Sequence, residues 1–215
     1  MSKYGYVGKE SDIPQQAFKA NAGVLSVNDH LALSQENKLT QYGQLELIET
    51  QTITTTTANV DFTDLGNYNV HFLAQSNVDL ATDGVFTRVQ LSSDGGSSFV
   101  TSGYEYARQR NYISGGTGFT QEGKSTNTSY VSILGSSGTS ANEVGNGYAY
   151  LYNLLDSSKY SFSTFQAIST SSVDLDSWFG SGVLPTATTH NAIRINASSG
   201  NIENMNISLY GIRYS

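Results

Sequence analysis

The sequence predicts an all-β protein, an antiparallel jelly-roll β-sandwich preceded by an extended N-terminal arm with one short helix. From Leu45 onward, apolar and polar residues alternate along short stretches separated by Gly, Ser and Asn, which is typical of strands joined by turns. After Leu45, no stretch of about 10–12 residues repeats with a helical period. We therefore place a boundary between an arm, residues 1–44, and a β-sandwich domain, residues 45–215.

The composition excludes several classes of protein. The 215 residues include no Cys, so disulfides and thiolate chemistry are absent. A net charge of −7 with only 11 Lys and Arg disfavours binding to nucleic acid. No apolar run approaches the ~18 residues of a membrane helix, and the first residues contain no apolar signal-peptide core. Aromatic residues make up 11%, too many for a disordered polar chain.

The arm differs from the rest of the chain in the pattern of its apolar and polar residues. Ser26–Leu33 predicts a short helix, in which Ser26 and Asp29 form a variant of the capping box. The remaining residues have no periodic apolar face and cannot close a core of their own. The arm is either a disordered terminus or a segment that lies on another subunit. We favour the second interpretation because apolar residues are frequent here: Val24, Leu25, Leu31, Leu33 and Leu39.

The first strands of the β domain follow from the alternation of side chains. Leu45–Ile53, which four Thr follow, is strongly β-prone, and Val60–Phe62 comes next. In Tyr68–Ala74 the large apolar side chains share one face, and Asn69 and His71 share the other. We therefore expect His71 on the polar, solvent-facing side of its strand.

A tight hairpin is predicted after the strand Val85–Leu91. Asp94–Gly96 supplies the residues that such a turn needs at positive φ, and Phe99–Val100 would begin the return strand.

The later strands are rich in tyrosine. Tyr148, Tyr150, Tyr152 and Leu154 stand on one face of a strand, which we interpret as a core face because the alternation is so regular. Between Tyr160 and Ala167 the alternation changes phase, which predicts a bulge near Ser163–Thr164. Two strands follow near the C-terminus, marked by Ile193 and Ile195 and then by Ile207, Leu209 and Gly211.

About nine or ten strands result, a number typical of a sandwich or barrel. Among these architectures we favour a jelly roll, because the first strand and Ile207–Tyr214 are both long and apolar enough to be central.

The sequence predicts neither a catalytic site nor a metal site. The three histidines, His30, His71 and His190, have no neighbours at metal-ligand spacing. Loop carboxylates at Asp79, Asp83 and Asp94 are of the kind that calcium takes as ligands, but turn chemistry already explains Asp94.

Paired carboxylates for glycoside hydrolysis are also missing. Glu46 and Glu49 point to opposite faces of a strand, and Asp174 with Asp176 is better explained by a capped turn. Motifs for a nucleophile elbow or a phosphate-binding loop do not occur. We therefore expect no enzyme activity, no catalytic residues and no cofactor.

One group of aromatic residues is a candidate contact surface. Asp174–Phe179 predicts a turn of helix inside a loop, which would place Trp178 and Phe179 in a segment flanked by Ser and Gly. Exposed aromatic rings beside polar side chains suit stacking on sugars and also protein interfaces. We take Trp178, Phe179 and Tyr112 as candidates for contact with a glycan or another subunit.

Five stretches of the chain carry a resemblance to a known family. They are GVLSVNDHL (23–31), YGQLELIETQT (42–52), YNVH (68–71), LSSDGGSSF (91–99) and MNISLYGI (205–212). The chain resembles virion structural proteins of tailed bacteriophages, especially marine and cyanobacterial ones, and the last stretch resembles the final strand of their jelly-roll domains. The resemblance spans nearly the whole chain, although residues 113–147 and 170–190 contribute little.

The resemblance implies a function in the particle. Such proteins are commonly homotrimers whose N-terminal segment docks on the virion and whose β-rich domain lies outside. It implies a capsid decoration or head-fibre protein, made in the host cytoplasm, with the major capsid protein or another virion protein as partner. A tail fibre or receptor-binding module that contacts a host surface glycan is the alternative. The capsid-anchoring residues would be the apolar ones of the arm: Val24, Leu25, Val27, Leu31 and Leu33.

Overall fold

A computed structural model of the chain describes residues 27–28, 31, 35, 45–133, 135, 137–140, 142–171 and 175–213. The chain divides into two units, Met1–Gln44 and Leu45–Ser215. In the first unit Val27 and Leu31 are helical and exposed, and both fall within the predicted short helix. Three other predicted anchoring residues, together with the predicted capping pair, lie outside the described residues: Val24, Leu25, Leu33, Ser26 and Asp29.

The second unit is built of β-strands, which confirms the prediction of an all-β fold. Its described residues form twelve strands: β1 Leu45–Ile53, β2 Asn59–Phe62, β3 Val70–Leu80, β4 Thr87–Ser92, β5 Tyr104–Ser114, β6 Thr117–Thr128, β7 Val131–Ser132, β8 Gly145–Tyr152, β9 Ser161–Ser169, β10 Leu175–Leu184, β11 Ala192–Ala197 and β12 Ile202–Ile212.

The strands form two antiparallel sheets. The larger has eight strands in the order β1-β12-β3-β8-β9-β10-β5-β6, and the smaller has four in the order β2-β11-β4-β7. The expectation that the first strand is central is wrong, since β1 lies at an edge of the larger sheet and pairs with β12. The last strand is an interior one, between β1 and β3.

The core lies between the two sheets, as in a β-sandwich. The smaller sheet contributes Phe62, Val89 and Ile193, and the larger contributes Leu73 and Leu209, all of which are buried. Each such side chain stabilises the fold by roughly 1.5–3 kcal/mol through removal from water.

In strands β3 and β8 the predicted alternation of side chains is present, but the face predicted to be buried is exposed and the face predicted to be exposed is buried. Ala149 and Leu151 point into the core, so the tyrosines between and beside them point outward. The prediction that Tyr148, Tyr150 and Tyr152 form a core face is therefore wrong. The prediction of a surface position for His71 is wrong for the same reason, because the inward residues of β3 include His71 and Leu73.

Strand β9 runs without the predicted bulge. Its register is continuous with β10 from Ser161 to Ser169 and with β8 from Phe162 to Ile168, and every second residue is buried. The inward face combines small serines with Phe165, whereas Phe162 and Ile168 point outward. The apparent change of phase arose because large apolar residues occupy both faces of this strand.

The connection after β4 is a turn, but it does not lead back into the same sheet. Gly95 and Gly96 have φ of +73° and +89°, as the predicted turn requires. Phe99 and Val100 do not begin a strand, although the Val100 amide donates to the carbonyl oxygen of Leu91 at 2.9 Å. The chain instead crosses to the larger sheet, where β5 starts.

The region around Trp178 is also corrected. The predicted helical turn is wrong, because Leu175–Leu184 is strand β10. Trp178 lies on its inward face with 5% of its surface exposed. Asp174 lies outside the described residues.

Candidate interaction surface

The outward side of the larger sheet carries a continuous set of aromatic and uncharged residues. The cross-strand register places them side by side on the four adjacent strands β12, β3, β8 and β9. We call this set the aromatic face: Ser208, Tyr210, Phe72, Ala74, Tyr148, Tyr150, Tyr152, Phe162, Thr164, Gln166 and Ile168. None of its members is charged.

Phe72 lies at the centre of the aromatic face. Its ring centroid is 5.0 Å from that of Tyr150, 5.8 Å from Tyr148 and 6.0 Å from Tyr210. Tyr150 in turn stacks on Tyr152, with centroids 6.3 Å apart. Cross-strand aromatic contacts of this kind hold the rings in one arrangement, so the face is preorganised.

The polar ends of two tyrosines are satisfied within the face. The hydroxyl of Tyr148 donates to Oε1 of Gln166 at 2.9 Å, and that of Tyr152 is hydrogen-bonded to the hydroxyl of Thr164 at 3.3 Å. A partner that covers these rings therefore does not need to supply hydrogen bonds to either hydroxyl.

Much of the aromatic face is open to solvent. Tyr148 is 39% exposed, Phe162 45% and Ile168 49%. The flanking strands extend the uncharged surface, with Leu47 on β1 and Phe179 on β10. Large contiguous apolar patches on a soluble domain mark sites of interaction.

From β9 across to β6, the outward side carries charged residues and forms a groove. A groove of about 490 Å³ lies between Phe162 on β9 and Lys124 on β6, with Glu105 also lining it. Thr164 and Ser181 contribute hydroxyl groups to its lining. The groove combines an aromatic ring, hydroxyl groups and one charge of each sign.

The predicted candidates Trp178, Phe179 and Tyr112 do not form one site. Trp178 points inward and Phe179 points outward from the same strand. Tyr112 stacks on Phe119 with centroids 5.1 Å apart, and the Arg110 guanidinium lies 4.4 Å from its ring centroid. Because Trp178 is enclosed, its ring cannot stack on an external sugar, which corrects the prediction for that residue.

Trp178 belongs to a buried cation–aromatic cluster. The Arg108 guanidinium lies 3.8 Å from the Trp178 ring centroid and also approaches Phe86 and Tyr106. Burial lowers the pKa of Arg108, and the surrounding rings stabilise its charge. The cluster ties β10 and β5 to the segment just before β4.

The two described histidines are buried, and each is hydrogen-bonded to a different residue. Nε2 of His71 donates to the carbonyl oxygen of Leu65 at 2.8 Å, and Nδ1 of His190 is hydrogen-bonded to the Ser161 hydroxyl at 2.8 Å. The second ring nitrogen of each is enclosed without a protein partner. Burial lowers the pKa of both, so each is neutral near pH 7.

Metal-ligating groups do not come together in the described ranges, where no three His, Asp or Glu side chains form a group that could hold an ion. Hydrogen bonds from Ser98 and Ser92 lower the pKa of Asp94 to about 2. The oxygens of this carboxylate therefore accept hydrogen bonds from residues of the same turn. No helix among the residues described is long and apolar enough to cross a membrane.

Comparison with known proteins adds no further assignment: no protein family, no curated protein and no solved structure matches this chain.

Sequence reasoning found the tyrosines of the aromatic face but placed them in the core. The signal that could have corrected this is the chemistry of the other face of β8: Gly147, Ala149 and Leu151 have no polar side-chain group, whereas each tyrosine carries a hydroxyl that can remain in water. Strand β9 likewise has large apolar residues, Phe162 and Ile168, on its exposed face.

Proposed function

We propose that the chain is a non-enzymatic structural protein of a bacteriophage virion, a capsid decoration or head-fibre protein on the particle surface. Residues 1–44 anchor it to a capsid protein or another virion protein, and the β-sandwich projects. The observation that carries this proposal is the aromatic face, an open and uncharged surface of the kind that binds protein.

The finer proposal for the fold is a jelly roll, and the strand pairing supports it. Leaving out β5, β6, β9 and β10, eight strands remain in chain order. The first of these pairs with the last, the second with the seventh, the third with the sixth and the fourth with the fifth: β1 with β12, β2 with β11, β3 with β8 and β4 with β7. This is how a folded-over ribbon of strands winds into a jelly roll. The other four strands extend the larger sheet.

Copies of the chain itself are the proposed occupants of the aromatic face, with a homotrimer as the assembly. Strands lie about 4.8 Å apart and residues rise about 3.4 Å, so the four strands of the aromatic face together with the flanking β1 and β10 cover roughly 700 Å² over seven residues. A standard interface buries about 800 Å² on each partner. Because symmetry brings identical residues close to one another, an uncharged face avoids repulsion between like charges.

The test combines particles with a truncated chain. The copy number per particle, measured by quantitative mass spectrometry, is expected to be in the hundreds for a capsid location; a few dozen or fewer indicates a tail. Purified particles lacking the protein should bind the full chain but not residues 45–215. Binding of the truncated chain as strong as that of the full chain contradicts the anchoring role of residues 1–44.

The groove favours a second candidate, a receptor-binding module that contacts host glycans. Aromatic rings beside hydroxyl groups and charges suit sugar recognition. On this candidate, Phe162→Ala and Ser181→Tyr should each abolish binding to host cells or to a glycan array. Phe119→Ala, which lies outside the groove lining, is the control. If both groove variants bind as the parent does, the glycan candidate is removed.

A further inference from the structure

The free edge of the larger sheet at β6 offers a second surface for association, independent of the aromatic face. With 12 residues, Thr117–Thr128 is the longest described strand, and among the residues that the structure describes it pairs with β5 alone. The edges of the smaller sheet are β2 and β7, with 4 and 2 residues. Short edge strands protect a sheet from adding further strands, whereas a long exposed edge is a template for pairing.

The centre of β6 carries one charge of each sign around a glycine. Glu122 lies opposite Gln109 and Lys124 opposite Ala107, so both side chains project from the outward side of the sheet. Within the described ranges, neither makes a hydrogen bond or an ion pair. Gly123 between them points inward, where a Cβ would lie 2.7 Å from Nε of Arg108.

This arrangement is self-complementary. In an antiparallel pair of identical strands centred on residue 123, Glu122 faces Lys124 of the partner subunit, and Lys124 faces the partner subunit's Glu122. The same register places Gln121 opposite the partner's Ser125, and both lie in the part of β6 that pairs regularly with β5, before the register shift that follows Ser125. Opposite charges directly across an antiparallel pair stabilise it, and like charges in the same place destabilise it.

We propose that two copies of the chain associate edge to edge through β6, antiparallel and centred on Gly123, which joins their larger sheets into one continuous sheet. The symmetry is a twofold axis, so the same edge serves on both copies. The backbone groups of the two edges pair, and the two Glu122–Lys124 contacts select the register.

The competing interpretation is that Lys124 protects the edge against pairing, as edge lysines do in many sheets. The two interpretations predict opposite results for a change at this residue. Removal of a protecting lysine increases association, whereas removal of a pairing lysine decreases it.

Charge reversal in the full chain distinguishes them. Glu122→Lys and Lys124→Glu each replace two attractions by two repulsions, and each is expected to weaken association about tenfold. The double variant E122K/K124E restores the complementary pattern and is expected to restore parental affinity. The measurement is sedimentation velocity over a concentration series, at low and high salt. Failure of the double variant to recover, or stronger association of Lys124→Glu, overturns the proposal.

A second experiment tests the register directly, and the absence of Cys in the chain makes it specific. Directly opposed side chains lie about 4.5–5.5 Å apart at Cβ, within reach of a disulfide after small adjustments. A mixture of Gln121→Cys and Ser125→Cys chains should cross-link faster under mild oxidation than either variant alone. Equal rates in the mixture and in the single variants contradict pairing centred on Gly123.

A control separates this edge from the aromatic face. Ile168 lies on the aromatic face and outside the groove that Lys124 lines. Ile168→Ser should therefore leave the mixed cysteine cross-linking unchanged, whatever its effect on association through the aromatic face. Loss of the cross-link in Ile168→Ser would overturn the independence of the two surfaces.

Discussion

The indole nitrogen of Trp178 donates a hydrogen bond to Oδ1 of Asp176 at 2.6 Å, between residues two apart on the inward face of β10. The same carboxylate oxygen accepts from Nε of Arg110 on β5 at 2.8 Å. Asp176 is fully buried, so these two donors offset much of the cost of enclosing its charge. One carboxylate therefore positions both the tryptophan and an arginine of the neighbouring strand.

Removal of the charge of Asp176 should destabilise the fold strongly. We expect Asp176→Asn to lower the free energy of unfolding by about 3 kcal/mol, because Arg110 loses its buried counter-ion. The matched control is Asp61→Asn, which breaks the ion pair with Arg194 at 2.7 Å, where both side chains are about one-third exposed. That change should cost less than about 1 kcal/mol. Urea denaturation measures both, and equal losses would contradict the dominant role of burial.

The stability should decrease in mild acid because of the buried histidines. His71 and His190 have pKa values below the ordinary 6.5, so the unfolded chain takes up their protons first as the pH falls. Stability from these groups is complete above pH 6.5 and is lost progressively below it, toward their folded-state pKa values. Thermal unfolding between pH 8 and 5 should show a falling melting temperature.

Substitution of the two histidines tests whether they cause this dependence of the melting temperature on pH. Replacing His71 and His190 together by Gln should flatten the pH dependence between 6.5 and 5, whatever it does to stability at pH 8. A slope identical to that of the parent would show that neither histidine is responsible.

Gly180 in β10 has no room for a side chain. A Cβ there would lie 2.5 Å from the carbonyl oxygen of Ala107, a backbone atom of β5 that cannot move aside. Gly180→Ala should therefore lower the unfolding free energy by about 1–3 kcal/mol. Gly118→Ala on β6 is the control, since nothing lies within 4 Å of its Cβ position. Equal stability of the two variants in chemical denaturation would argue against this tight β10–β5 contact.

The aromatic face can be tested without disturbing the core. Phe162→Ser and Ile168→Ser each remove apolar surface that is nearly half exposed, so the melting temperature of a monomer should change little. Native mass spectrometry is expected to show loss of the trimer. Phe119→Ser removes a phenylalanine of equal exposure away from this face and should leave assembly intact. Trimers that persist in both face variants would exclude this surface.

Local patterns were sufficient to predict eight of the twelve strands, whereas β5, β6, β7 and β10 were not predicted. The start of the β domain at Leu45, the turn at Gly95–Gly96 and strand β12 all follow from alternation and turn chemistry. Such features depend on residues close in the chain. The strand β10 was missed because Ser, Gly and Asp around Trp178 favour loops when only local preference is considered.

The candidate surface was only partly predictable. The tyrosines of β8 were recognised as a set, but their direction depends on which side of the sheet receives the second layer. Leu151 and Tyr150 are both large enough to fill a core. For the same reason, His71 was predicted on the solvent-facing side of its strand, whereas it lies on the buried side.

The amino-acid order by itself determined the class of the protein: period-two alternation, abundant turn residues and no cysteine admit an all-β body stabilised by packing. The outward direction of the tyrosines, the enclosure of Trp178 and the position of β6 at the edge of the described sheet depend on how the strands pair and the two sheets pack. The physical reason is that alternation separates two faces without ranking them, and burial is assigned by the strands that pack opposite, which are distant in the chain.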